Sequence, residues 1–169
     1  GYDSVDTKCL KEKGITLLVA HNSTSTSPAE HIMFMIMNIY KGVSMFDTMV
    51  RNGDFVKAIH LNIEQNFELF DKTVLISGFG RIGKKLIKKC LGFDMKVLVF
   101  DPYVDEVTIK SFGGAKVTTL EEGLKKADIL SLSLPLNSET KNFITLKEMK
   151  LMKQRSIIIN ATRIEIVNE

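Results

Sequence analysis

Gly78, Gly80 and Gly83 fall at G-x-G-x-x-G spacing in the stretch VLISGFGRIGKKL (74–86), directly after an apolar run and directly before a helical one. That context gives each glycine a mechanical task. Gly78 permits a tight turn, Gly80 lets backbone approach a pyrophosphate, and Gly83 lets the helix pack close to the strand, while free N–H groups at the helix start face the phosphates. Asp101 lies 21 positions past Gly80, at the end of a second apolar run. This is close to the spacing of about 20 expected for a carboxylate that accepts the hydroxyls of an adenosine ribose. Such a carboxylate repels a 2′-phosphate, and DPYVDE (101–106) supplies no arginine to receive one, so NAD is favoured over NADP. A nucleoside triphosphate is the second reading, because GFGRIGK matches the opening of a P-loop. It fails at Lys85, where a Ser or Thr must ligate magnesium. A purely structural turn is the third reading. Lys84, Lys85, Lys88 and Lys89 read as a solvated helix face.

The elements that must position this turn follow from patterning. TVLIS (73–77) and KVLVF (96–100) are strands, RIGKKLIKKCLGF is a helix ending at Gly92, and VDEVTIKSFGG is a short helix. AKVT, LEEGLKKA, DILSLSLP, a helical stretch near LKEMKLM, and SIIINA continue the alternation. Strands alternating with helices over short connections predict a doubly wound parallel sheet of Rossmann type, with right-handed crossovers on both faces.

Upstream the pattern is less regular. A short helix ending at Gly14 precedes ITLLVA (15–20), which reads as a buried strand, and a polar loop leads to a long connecting helix. Ser27 is placed to cap that helix, Pro28 to open it, and Glu30 to complete a capping box. Apolar residues at helical spacing carry it to Asn52-Gly53, about six turns on. Its methionines, Met33, Met35, Met37 and Met45, point in too many directions for one stripe. Burial on more than one face is expected, in the chain's own core in preference to a subunit interface. Residues 54–71 read as a loop or short hairpin.

The bulk composition sets the class. The chain has 169 residues, 44% hydrophobic and 25% charged, enough for an ordinary domain with a real core. A net charge of +3 from 23 basic and 20 acidic residues is too even for a nucleic-acid footprint, so no nucleic-acid partner is expected. The longest conspicuous apolar run, 32–37, is far short of the roughly 20 residues that span a bilayer, so no membrane insertion is expected. Cys9 and Cys90 lack metal-type spacing, and no apolar leader precedes Asp3, which favours a reducing, cytoplasmic setting.

Four segments together resemble the D-isomer-specific 2-hydroxyacid dehydrogenase family: GYDSVD near the start, the STSPAEH helix start, GFGRIG with KVLVFDPY, and LSLPLNSETKNFI followed by LMKQRSIIINATR. Their order and spacing fit along the whole chain. The resemblance implies an NAD-binding domain inserted into a smaller substrate domain, usually in a homodimer, acting on a small 2-hydroxy or 2-oxo acid. It divides the chain into a substrate-domain remnant, 1–26, and an NAD-binding domain with its leading helix, 27–169. It places Arg81 and Ile82 beside the pyrophosphate and Asp101 at the ribose. Leu134, Pro135 and Thr140 fall on the adenine side, and Ala161 and Thr162 near the nicotinamide. Arg163 becomes the catalytic substrate arginine, whose planar guanidinium grips a carboxylate or carbonyl bidentately.

Oxidising a hydroxy acid also needs a base, which the family supplies as a histidine paired with a glutamate downstream of that arginine. His21, His31 and His60 all precede the nucleotide fold, and no catalytic role is assigned to them. The chain therefore reads as a fragment that binds cofactor without turning over, or alternatively as a noncatalytic NAD-binding regulatory or interaction module. It also departs from the family pattern. Thr26 stands for an arginine, Ser133 for a frequent histidine, and Asp71 for a glycine whose left-handed geometry Asp tolerates. Ile164 and Glu165 replace two glycines, and a positive φ at Ile164 would be strained.

Overall fold

Four short apolar runs and the two-residue segment 115–116 pair edge to edge, each bounded by polar turns and alternating with helices that can cover the sheet. The computed structural model describes residues 5–19, 24–65 and 67–168. Its strands are β1 (Thr73–Ser77), β2 (Lys96–Phe100), β3 (Ala115–Lys116), β4 (Ile129–Leu132) and β5 (Ile157–Asn160), in the sheet order β3-β2-β1-β4-β5. Every neighbouring pair is parallel, with Val74 in register with Val97 on one side and Ile129 on the other. The chain steps outward from β1 to one edge, returns to β4, and steps outward again. That is the expected doubly wound topology, and β1 and β2 take the predicted bounds.

Strand alternation sends side chains to two cores. Val74, Ile76, Val97, Val99, Ile129 and Ile159 meet Leu86 and Ile87 of α5 (Arg81–Leu91), Ile109 of α6 (Glu106–Ser111), and Ile32 and Ile36 of α2 (Thr26–Lys41). Leu75, Leu130 and Leu132 face the other way, onto Leu124 of α7 (Leu120–Lys126), Ile144 and Ile166, with Met149 of α8 (Leu146–Met149) alongside. Full burial of one such aliphatic side chain contributes about 1.5–3 kcal/mol, so the sheet's two faces carry most of the stability that holds the strand ends in place. Cys90 lies in the first core with Sγ 3.7 Å from Met33 Sδ, and burial pushes its thiol up to about 12.

The amino-terminal third differs from expectation in several places. The short first helix forms as α1 (Thr7–Glu12), but residues 15–19 form no strand, and Leu18 is 88% exposed. Among the described residues no strand lies beside them to take up their backbone groups, so apolar composition alone does not make a strand there. Residue 20 and His21 lie outside the described residues, as do the first four residues of GYDSVD. The long helix is two, because Gly42 adopts the left-handed conformation (φ 58°) and ends α2 before α3 (Val43–Arg51) begins. Ser25, not Ser27, occupies the cap position and makes no side-chain cap bond. Glu30 forms no capping box, because it lies five residues past Ser25, and its carboxylate pairs instead with Lys89 of α5 at 3.2 Å. Pro28 is the third helical residue, still within the first turn, where no helical partner is lost. Residues 55–65 form a helix, α4, in place of a loop or hairpin. Over FVKAIHLNI the apolar spacing fits both periods, and Ala58 is buried on the helical face.

Burial of α2 is also one-sided. Ala29, Ile32, Met33, Ile36 and Tyr40 face the core and Met35 is half-buried, but Phe34, Met37 and Ile39 are exposed, as are Val43 and Met45 of α3. The expectation of burial on several faces within this chain is thereby overturned. Asp71 does take the left-handed geometry (φ 60°), and Ile164 and Glu165 do not. Those two residues enter a 3-10 turn, Ile164–Ile166, so the glycine replacements produce no strain.

The amino ends of β1 and β4 are fastened by Asp128, whose Oδ2 accepts the Thr73 N–H at 2.8 Å and whose Oδ1 accepts Lys153 Nζ at 2.9 Å. Burial alone raises its pKa, but these two partners outweigh burial and hold the carboxyl below the usual range. A depressed folded pKa contributes stability above the unfolded value, near 4, and that stability is lost as pH falls through the folded value. Asp128→Asn should therefore lose stability at pH 7 and show a shallower fall in stability below about pH 4, read from urea unfolding across pH. Arg155 is the one left-handed described residue that is neither Gly, Asp nor Asn (φ 65°), and its side chain is exposed. Arg155→Gly should stabilise the fold by about 1 kcal/mol, the relief of a left-handed Cβ less the added chain entropy of glycine, measured as a raised urea midpoint.

Candidate cofactor site

The residues nominated from sequence gather at the carboxyl edge of the sheet, where the loops after β1, β2, β4 and β5 lie side by side. The turn after β1 is built by close approach. Gly78 has φ 100°, and a Cβ on it would sit 2.6 Å from the Ser133 carbonyl oxygen, while a Cβ on Gly83 would sit 2.2 Å from the Gly78 carbonyl oxygen. Only glycine satisfies both positions. A Cβ on Gly80 would meet nothing within 4 Å, so the side from which a ligand would approach this backbone is open. The first bond of α5 runs from the Lys84 N–H to the Gly80 carbonyl at 3.0 Å, which leaves the three preceding N–H groups at the positive end of the helix without helical partners. The arrangement fits an anionic pyrophosphate.

Asp101 ties this turn to β2. Its Oδ2 accepts the Phe79 N–H at 2.8 Å and its Oδ1 accepts the Tyr103 N–H at 2.9 Å. An ionised carboxylate retains acceptor capacity beyond those two bonds, so ribose hydroxyls can still be received. The Phe79 ring is buried against Phe112 edge to face, with centroids 5.4 Å apart, and Lys84 Nζ lies 5.1 Å from the Phe79 ring. Lys84 is thereby engaged with aromatic faces, which explains why it is not a simple solvated lysine.

After β4, Leu134 is half-buried on the second core and Pro135 is exposed. Thr140 is buried, and its hydroxyl donates to the Pro135 carbonyl at 2.5 Å, so it shapes the loop from within. Asn137 completes the turn by accepting the N–H groups of Glu139 and Thr140 at 2.9 and 3.0 Å. After β5, Ala161 packs on the first core, Thr162 is half-buried and Arg163 is exposed. Asn160 braces this corner, its Nδ2 donating to the Arg163 carbonyl at 2.8 Å and its Oδ1 accepting the Thr162 hydroxyl at 2.8 Å. Arg81 is exposed at the start of α5, and Ile82 packs against the first core.

Phe79, Asn137 and Asn160 were absent from the sequence reading. Asn137 had a local signal, a side-chain acceptor two and three residues before the N–H groups it receives. Of the described histidines, His31 stacks on Phe34 of α2 with centroids 5.9 Å apart, and His60 belongs to α4. A groove of about 830 Å³ lies away from this edge. It is lined by Tyr40, Phe46, Lys72, Asp128, Arg155 and Ile157, at the amino end of the sheet. Volume and chemistry disagree here, and the chemistry decides, because open parallel sheets bind ligands outside the carboxyl ends of their strands.

Comparison with known proteins gives the chain a family. Residues 33–169 match the profile described as D-isomer specific 2-hydroxyacid dehydrogenase, NAD binding domain. The chain belongs to that family, and NAD, the cofactor expected from the sequence, is the one its domain binds. Among similar proteins, D-3-phosphoglycerate dehydrogenase of Methanocaldococcus jannaschii is 30% identical over all of this chain and 32% of its own length. Glyoxylate reductase of Pyrococcus furiosus is 31% identical over 99% of this chain and 51% of its own. The solved D-lactate dehydrogenase of Escherichia coli superposes with a TM-score of 0.86 at 26% identity, covering 99% of this chain and 51% of its own. The chain thus spans about a third to a half of the relatives it matches.

The two inner glycines should separate fold from binding. Gly83→Ala forces a backbone clash and should destabilise the protein by several kcal/mol or prevent folding. Gly80→Ala should keep the melting temperature within a few degrees yet weaken NADH binding about tenfold or more, as seen by thermal unfolding and fluorescence titration of the same sample.

Proposed function

We propose that this chain is the cofactor-holding part of an NAD-dependent oxidoreductase that acts on the CH–OH group of a D-2-hydroxy acid. Bound NAD supplies the hydride acceptor, C4 of its nicotinamide, to which C2 of the acid gives its hydride. Gly78, Gly80, Arg81, Ile82 and Gly83 hold the pyrophosphate, and Asp101 holds the adenosine ribose. Leu134 and Pro135 wall the adenine, with Thr140 fixing their loop. Ala161 and Thr162 lie beside the nicotinamide, and Arg163 grips the acid's carboxylate or carbonyl and orients its C2 toward the ring. The single observation that carries this reading is the Asp101 carboxylate bonded to the Phe79 N–H of the glycine turn, which puts ribose and pyrophosphate acceptors and donors in one rigid unit.

Residues 1–26 fit a remnant of a substrate domain and 27–169 the cofactor domain. The substrate is read as 3-phosphoglycerate from the likeness to phosphoglycerate dehydrogenases. The exposed apolar side chains of α2 and α3 suit a homodimer interface, and a cytoplasmic setting fits a chain in which no described helix is long and apolar enough to cross a membrane. Turnover by this chain alone is not expected, because the residues assigned here supply a place for the hydride acceptor and a carboxylate clamp but no base for the hydroxyl proton. That gap equally suits the second reading, a noncatalytic NAD-binding module.

Calorimetric titration tests the cofactor assignment. NADH should bind more tightly than NADPH, and Asp101→Ala should weaken NADH at least tenfold while narrowing the difference between the two. Equal binding of both cofactors, or no effect of the substitution, would refute the ribose role. The same sample should oxidise no D-2-hydroxy acid, and measurable turnover would show that a base has been overlooked.

A further inference from the structure

Two loops flank the glycine turn, one after β2 and one after β4, and a single side-chain hydrogen bond joins them. Tyr103 Oη donates to Glu139 Oε2 at 2.9 Å. Because β1 lies between β2 and β4, the loops start about 10 Å apart, two strand spacings. A planar base needs about 7 Å to be touched on both faces, so this gap is of the right width for an adenine walled by Leu134 and Pro135 with its ribose at Asp101. The Tyr103–Glu139 bond crosses that gap at its outer rim, where Tyr103 is 81% exposed.

We propose that Tyr103 and Glu139 form a strap across the mouth of the adenosine slot, one that competes with the cofactor's adenosine half and must part to admit it. The proposal rests on the dinucleotide reading of the slot. Both anchors are rigid. On one side the Tyr103 N–H is bonded to Asp101, which also holds Phe79, and on the other the Glu139 N–H is bonded to Asn137, which also holds Thr140. With the backbone of both turns fixed, the bond can open only by rotation of the two side chains. Little else opposes that rotation, since the phenol packs on nothing that buries it. The bond to a carboxylate is charge-assisted, and Glu139 holds the phenol's pKa above its usual range, with Asp101 adding to the effect. The phenol therefore keeps its donor proton at neutral pH, and opening of the bond becomes part of every encounter with an adenosine-bearing ligand.

A strap of this kind slows entry without touching the pyrophosphate cradle or the nicotinamide corner. Stopped-flow fluorescence of NADH binding to the 169-residue chain tests it, with Tyr103→Phe, Glu139→Ala and the double variant. Each single variant should raise the association rate constant about fivefold, and the double variant should match the singles, because all three remove one bond. The dissociation rate should stay within twofold, ADP should tighten by the same factor as NADH, and nicotinamide mononucleotide should bind unchanged. Association that is unchanged or slower in the variants, or additive in the double variant, overturns the strap and leaves the cofactor reading intact. Failure of the unsubstituted chain to bind either NADH or ADP overturns the cofactor reading and the strap with it.

Discussion

The approach of α5 to β1 is the constraint on which the site depends. Where Gly83 meets Gly78, the helix axis comes so near the strand end that a single carbon would lie 2.2 Å from a carbonyl oxygen. That closeness aims the unpartnered N–H groups of α5 across the mouth of the sheet and brings Phe79 within reach of the Asp101 carboxylate. The buried faces of Val74 and Ile76 against Leu86 and Ile87 hold the approach in place. Packing energy is thus converted into a fixed arrangement of donors and one carboxylate, with no strained residue needed beyond a glycine.

The sheet was legible because its signals are local and mutually consistent. TVLIS and KVLVF are β-branched apolar runs with polar ends, and each is followed by a helix that stops at a glycine-rich turn, so period and punctuation agree. Upstream, local signals conflict. In YKGVSMF the helical spacing of apolar residues runs straight through Gly42, and only tertiary packing shows that the glycine turns left-handed and divides the helix. FVKAIHLNI satisfies a period of two as well as one of 3.6. ITLLVA has strand composition, but a strand also needs a neighbour, and its sequence carries no information on whether one is present. Glu30 was assigned to its own helix start because a capping box is a local motif, whereas its actual partner, Lys89, is a helix away.

The candidate site shows the same division. Gly78, Gly80, Gly83 and Asp101 were readable since the motif's spacing encodes a geometry, and the fold sets them together as that geometry requires. Phe79 bonds Asp101, while Asn137 and Asn160 brace the corners after β4 and β5, through backbone groups whose partners are fixed only once the loops are placed. Tyr103 and Glu139 are 36 residues apart and meet solely because β2 and β4 flank β1. The replacement of two glycines by Ile164 and Glu165 looked like a source of strain, yet backbone pairing of 142–144 with 165–168 carries that segment through ordinary conformations.

The site chemistry and the 830 Å³ groove lie at opposite edges of this sheet, and that contrast offers the most direct test. The central claim is that the carboxyl edge, organised by Gly78–Gly83 and Asp101, is where the dinucleotide sits. Amide chemical-shift mapping of the isotopically labelled chain during titration with NADH would decide it. The account predicts that the amides of residues 78–83, 101–103 and 161–163 move together and saturate at one concentration. Shifts confined to the groove at Tyr40, Lys72, Asp128 and Arg155, with the glycine turn unmoved, would contradict it.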